Sequence, residues 1–247
     1  MSRIPLVCLL AMFTACAVPP PEEGDDEEEE SFEESEEAVG EGTVEQAMSN
    51  SCSTTSIRPL SQQIIDEMRC IDPDGFTALP ELSNVTYSTG VFPYLIAPAR
   101  DALVKAAQSK PSTNFHINSM FRTVAQQYMI RRWYEQGRCG ISAAATPGNS
   151  NHETGLAVDI ANNSTWRNAL ESRGFDWLGP NDPPHFDYEG AGAVSQRGFD
   201  VLAFQRLWNR NHPDDIIAED GDYGPQTRSR IQKSPAQGFD IGADCEP

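Results

Sequence analysis

The chain has 247 residues and a formal net charge of −19, a length that allows one domain or two. The charge is concentrated: 14 Asp and Glu and no Lys or Arg lie between Glu22 and Glu45, and outside that tract and Arg3 there are 23 acids against 17 bases. The folded part is therefore only mildly acidic, and without a basic stripe or run, nucleic acid is excluded as an expected partner.

The N-terminus "MSRIPLVCLLAMFTAC" sets Arg3 before an apolar run from Ile4 to Phe13. That run is too short for a membrane span, which needs about 20 residues, and residues 1–16 read as a signal peptide. "FTAC" resembles the bacterial lipobox, with Phe13 where Leu is usual, and the resemblance implies lipidation of Cys16 and a membrane anchor in the cell envelope. Ordinary cleavage near Ala15 and free secretion is the alternative. Residues 17–50 are rich in like charge and poor in apolar groups, and read as a disordered tether. Cys52, Cys70, Cys139 and Cys245 then remain, an even number that favours two disulfides in an exported protein. Of three pairings, Cys52–Cys70 with Cys139–Cys245 is the expected one.

In "PLSQQIIDEMRC" the apolar residues Leu60, Ile64, Ile65 and Met68 have helical spacing. "APARDALVKAAQS" reads as a second helix with Pro98 near its first turn. "NFHINSMF" alternates as a strand, weakened by the polar Ser119. "TVAQQYMIRRWYEQG" opens on Thr123, a plausible N-cap, and stops at Gly137. Two short alternating runs follow, "GLAVDIA" and "HFDYEG". With no regular βαβ repeat, the expected fold class is α+β with a mainly antiparallel sheet, over residues 51–192. From 193 to 247, "FDVLAFQRLWNR" and "EDGDYGPQTRSRIQ" read as helices of a small module leaning on the α+β domain.

Strand alternation brings out a constellation. Leu156, Val158 and Ile160 share one face while Asp159 takes the other; Phe186 and Tyr188 share one face while His185 and Asp187 take the other. With His152 from the loop before the first strand, the set His152, Asp159 and His185 suits a catalytic zinc with an open fourth position. Asp182, in "DPPHF", is placed to act as base beside it. Lone histidines are more often surface or core residues, so spacing alone leaves the metal open. Of the other two histidines, His116 reads as a supporting or core residue and His212, before Pro213, as loop.

"SNHETGLAVDI" resembles the Ser-x-His-x-x-Gly-x-Ala-x-Asp motif of zinc D-alanyl-D-alanine carboxypeptidases, including the vancomycin-resistance D,D-carboxypeptidases. The resemblance implies a Hedgehog-like peptidase fold, Zn2+ as cofactor, peptidoglycan as substrate, and His152 and Asp159 as metal ligands. "NSMFRTVAQQ" resembles the family's Ser-Gly-Tyr-Arg-Ser-x-x-x-Gln segment, which implies that Arg122 binds substrate or steadies the oxyanion and that Gln127 contacts substrate; Ser150 is a lesser contact. Met120 and Phe121 stand where that segment has Gly and Tyr. The family usually carries Glu-x-Trp-His where this chain has "DPPH", which instead resembles phage L-alanyl-D-glutamate endopeptidases. Carboxypeptidase, endopeptidase and catalytically silent wall-binding lipoprotein are thus the expected alternatives. The tail "VLAFQRLWNRNHPDDIIAEDGDYGPQTRSRI" is similar to the peptidoglycan-binding module, a structural cap being the other reading.

Overall fold

The structure, a computed structural model, describes residues 42–245. The signal peptide, the Cys16 anchor and most of the acidic tether lie outside the described residues. From the N-terminal side the elements are α1 (Val44–Asn50), α2 (Arg58–Ile71), β1 (Thr77–Ala78), β2 (Val85–Tyr87), β3 (Tyr94–Leu95), α3 (Ala97–Gln108), β4 (Phe115–Ser119) and α4 (Val124–Glu135). They continue as β5 (Ala157–Ile160), α5 (Asn163–Glu171), β6 (Phe175–Trp177), β7 (His185–Tyr188), α6 (Phe199–Asn211) and α7 (Pro225–Lys233). This is the expected α+β architecture. Among the described residues no helix is long and apolar enough to cross a membrane.

The main sheet has the order β2-β4-β5-β7-β6, antiparallel except for the β2–β4 pair, and β1 pairs with β3 in a separate small ribbon. Alternation sorts its residues as the sequence suggests. Val158, Ile160, Phe186 and Tyr188 join Phe115 and Ile117 in a core closed by α3 and α5, with Leu103 and Trp166 among the buried side chains. Asp159, His185 and Asp187 point to the other face. Ser119 would share the core face with Ile117 in a regular strand, but the register shifts between them, so that Ile117 pairs with Ile160 and Ser119 with Asp159. A bulge of this kind re-aims a side chain. It brings Ser119 into one row with Asp159 and His185, which are themselves cross-strand partners.

A second core contains helices only. Leu60 and Ile64 of α2, Tyr128 and Trp133 of α4, and Phe204 and Leu207 of α6 are buried together with Val44 and Met48 of α1 and Ile231 of α7. Thr43 to Asn50 are therefore not part of the tether: Thr43 and Gln46 form a reciprocal capping box, and Val44, Ala47 and Met48 bury one face of α1. The segment 193–247 contributes α6 and α7 to this shared core. Arg210 of α6 makes a two-pronged ion pair with the buried Glu67 of α2, at 2.8 and 3.0 Å.

The disulfide pairing also differs from expectation. Cys52 bonds Cys139 and Cys70 bonds Cys245. The helical core explains the exchange: α1 and the segment after it lie against α4, while the C-terminus returns to the end of α2, with Gln63 holding Phe239 from both its amide atoms. His116 hydrogen-bonds Thr86 and Ser88, and His212 stacks on Trp208 with centroids 3.7 Å apart.

Candidate metal centre

The row across the sheet brings Asp159 of β5 opposite His185 of β7. His152 arrives from a turn that ends at Gly155. That glycine has φ +70°, and a Cβ there would come within 2.6 Å of the Phe76 ring, so the sharp entry into β5 requires glycine. His152 is held from two sides by the chain after β4. Its Nδ1 donates to Met120 O at 2.7 Å, and the Arg122 N–H donates to His152 O at 3.3 Å. With Nδ1 so used, Nε2 is the free ring atom, and it faces His185 Nδ1 at 3.2 Å and Asp159 Oδ1 at 3.3 Å. The third edge, His185 Nδ1 to Asp159 Oδ1, is 3.0 Å. Three lone-pair donors thus converge in a triangle that could hold a metal ion.

Each donor has a partner behind it. His185 Nε2 meets Asp187 Oδ1 at 2.9 Å, and Arg122 Nη2 donates to Asp159 Oδ2 at 2.6 Å. Arg122 Nε donates to Ser119 Oγ at 2.9 Å, so the bulged serine fixes the guanidinium that fixes the aspartate. The electrostatics follow. Burial lowers the His152 pKa, with Arg122 adding to the effect. Burial opposes ionisation of Asp159, yet His152 and Arg122 hold its carboxyl well below the usual range. Burial likewise works against charge on His185, but Asp159 and Asp187 outweigh it and hold the imidazole up to about 9.

The site opens into a cleft of about 650 Å³ whose walls include Gln127, Arg131, Leu178 and Asp182. Asp182 begins a turn with Pro183 and Pro184 at its centre, closed by the His185 N–H on Asp182 O at 3.1 Å and pinned by Trp177 Nε1 on Pro183 O at 2.8 Å. The structure thus brings the candidate metal-binding, catalytic and substrate residues to one cleft. Gln127 is wholly buried and donates to Ala145 O at 3.0 Å, bracing the cleft wall. Ser150 accepts the His152 N–H on Oγ at 3.3 Å.

Residues 94–188 match the family model VanY, D-alanyl-D-alanine carboxypeptidase. The core of this chain is VanY-like. No curated protein matches it. The VanY-like segment runs from β3 through β7 and so contains the triad, Arg122 and Asp182, while α1, α2, α6 and α7 lie outside it. Sequence reasoning gave no role to Asp187, although it placed it on the His185 face. It also missed Ser119, whose signal was the break in alternation, and Glu153. Glu153 is buried beside His152 and accepts the N–H groups of Gly148 at 2.7 Å and Ser150 at 2.9 Å.

Proposed function

We propose that the chain is a zinc peptidase of peptidoglycan stem peptides that removes a terminal D-alanine, with His152, Asp159 and His185 as metal ligands. The donor triangle carries this reading. Ligands at about 2.0–2.1 Å in a tetrahedral site sit about 3.3 Å apart, and the three edges here are 3.0, 3.2 and 3.3 Å. Two imidazoles and one carboxylate leave the fourth position free for chemistry. Zinc there supplies Lewis acidity and makes water a nucleophile near neutral pH.

The other steps belong to side chains of the chain. Asp182 takes the proton of the attacking water and gives it to the leaving amine, so that water and peptide become a carboxylate and a free amine. Its presentation at the corner of a proline-stiffened turn, one residue-turn before a ligand, supports that role. Arg122 holds the Asp159 carboxylate in line and adds positive charge where the oxyanion develops. Asp187 fixes the ring orientation of His185, as carboxylates behind metal-bound histidines do. Two disulfides favour an oxidising compartment, which supports an exported protein, and anchoring through Cys16 is the reading that the "FTAC" resemblance adds.

The Asp182-Pro-Pro-His185 turn also favours a second reading, an L-alanyl-D-glutamate-type endopeptidase. Purified protein with measured zinc content, incubated with sacculi and followed by mass spectrometry, tests both. Release of single alanine supports the first reading and a severed stem the second. Zinc-loaded protein that leaves sacculi unchanged would refute both.

A further inference from the structure

Asp200 has no part in the chemistry above, yet it is wholly buried and neither carboxyl oxygen makes a hydrogen bond of good geometry. It is the second residue of α6, beyond the VanY-like segment. Its neighbour is the buried carboxyl of Glu153, with which it interacts. Burial opposes charge on both groups, and the Glu153 carboxyl opposes it further on Asp200, whereas a hydrogen bond from Asp200 favours the charged form of Glu153. A polar group buried without well-formed hydrogen bonds is costly.

What it abuts is the turn carrying His152. Glu153 follows that ligand directly and ties up the Gly148 and Ser150 N–H groups through its two oxygens, at 2.7 and 2.9 Å. Ser150 in turn accepts the His152 N–H. From the exposed side Arg197, three residues before Asp200, donates through Nη1 to Gly148 O at 3.0 Å and Asn149 Oδ1 at 3.2 Å. The turn is therefore held from inside by Glu153, beside which Asp200 is buried, and from outside by Arg197. Gly198 between them, at φ +84°, lets the start of α6 come close to the turn at Gly221, whose carbonyl would lie 2.8 Å from any Cβ at 198.

We propose that Asp200 and Arg197 are positioning residues for His152, so that the start of α6 completes the metal centre of the VanY-like core. The proposal rests on the reading that His152, Asp159 and His185 bind zinc. It assigns the segment 197–200 a task inside the catalytic unit, separate from any wall binding by the tail.

The test uses the full chain and two readouts: zinc dissociation by competition with a chromophoric chelator, and hydrogen exchange of the 148–152 amides in metal-free protein. Asp200→Ala is expected to weaken zinc about tenfold, within the range seen when groups behind ligands are lost, and to speed exchange in that turn but not in β5 or β7. Asp200→Asn, whose amide can donate to Glu153, should recover most of the affinity. Arg197→Ala, at an exposed position, should loosen the same amides and serves if Asp200→Ala does not fold. Unchanged zinc affinity and unchanged exchange in Arg197→Ala and in a folded Asp200→Ala would overturn the proposal. Wild-type protein that takes up no zinc would instead refute the metal reading, and exchange in the metal-free protein would still decide the bracing.

Discussion

Replacing Arg122 with lysine keeps the positive charge and removes the fork. In the structure the guanidinium spans two acceptors, Ser119 Oγ at 2.9 Å and Asp159 Oδ2 at 2.6 Å. A lysine ammonium is a point charge on a flexible stem and cannot hold that planar geometry. Asp159 would then keep only its Oδ1 contacts to the two histidines, and its carboxylate would turn more freely. Groups behind metal ligands are worth about 10–100-fold in metal affinity, which is about 1.4–2.7 kcal/mol. Arg122→Lys should therefore raise the zinc dissociation constant by that factor in a chelator competition, with Ser119→Ala giving a smaller loss in the same direction. Activity measured at saturating zinc should recover in large part. If zinc affinity is unchanged while kcat at saturating zinc falls about 100-fold or more, the size expected for a lost oxyanion donor, Arg122 acts on the substrate and its bond to Asp159 is incidental.

Asp182→Asn should lower kcat by about 10²–10⁴-fold, the usual worth of a general base, with zinc content unchanged; activity within a few-fold of wild type would remove Asp182 from the mechanism. Arg210→Met removes the counter-ion of the Glu67 carboxylate, whose side chain is 1 % exposed and which keeps the Asp244 N–H at 3.2 Å, and should cost about 3 kcal/mol in urea denaturation, much of it recovered in the Glu67→Met/Arg210→Met double variant; a loss below about 1 kcal/mol, the size of a surface pair, would show that the ion pair between α2 and α6 is not structural. Non-reducing peptide mapping should join Cys52 to Cys139 and Cys70 to Cys245, and a Cys52–Cys70 peptide would contradict the packing of the helical core. Burial, with Glu45 as hydrogen-bond partner, holds the Tyr128 phenol up to about 12 against an ordinary 10.0. The folded state thus keeps a proton that the unfolded chain releases, so this stability is whole below pH 10 and falls as pH rises towards 12. Urea midpoints across that interval should decline less in Tyr128→Phe; an identical decline would refute the assignment.

Most of the candidate metal centre was legible because β-alternation is a local property. Val158 and Phe186 had to face one way, which left Asp159 and His185 on the other, and pairing the two strands in register did the rest. What the sequence hid depends on contacts between distant segments. The helix α1 was obscured by the acidic run before it, although "TVEQ" carries its capping box and Val44, Ala47 and Met48 its apolar spacing. The disulfide partners were set by helix packing, which no cysteine spacing encodes. Ser119 showed only as a fault in an alternating pattern, and the bulge that explains it is a property of the β4–β5 pair. Glu153 and Asp200 lie 47 positions apart and meet only because α6 folds back onto the turn after Pro147.

These differences divide the centre into two halves of unequal stiffness. Asp159 and His185 are cross-strand partners within a sheet whose other face is fully packed, so opening that pair means opening the core. His152 sits in a turn outside any strand, and its place depends on Met120 and Arg122 behind it and on Glu153, Asp200 and Arg197 beside it. Turns outside the sheet ladder open at lower cost than core strands. If the triad holds zinc as proposed, metal release should therefore begin at His152, while a carboxylate and an imidazole on the sheet keep hold of the ion. Changes at the start of α6 would then act first on how long the metal stays, and only through that on how fast the peptide is cut.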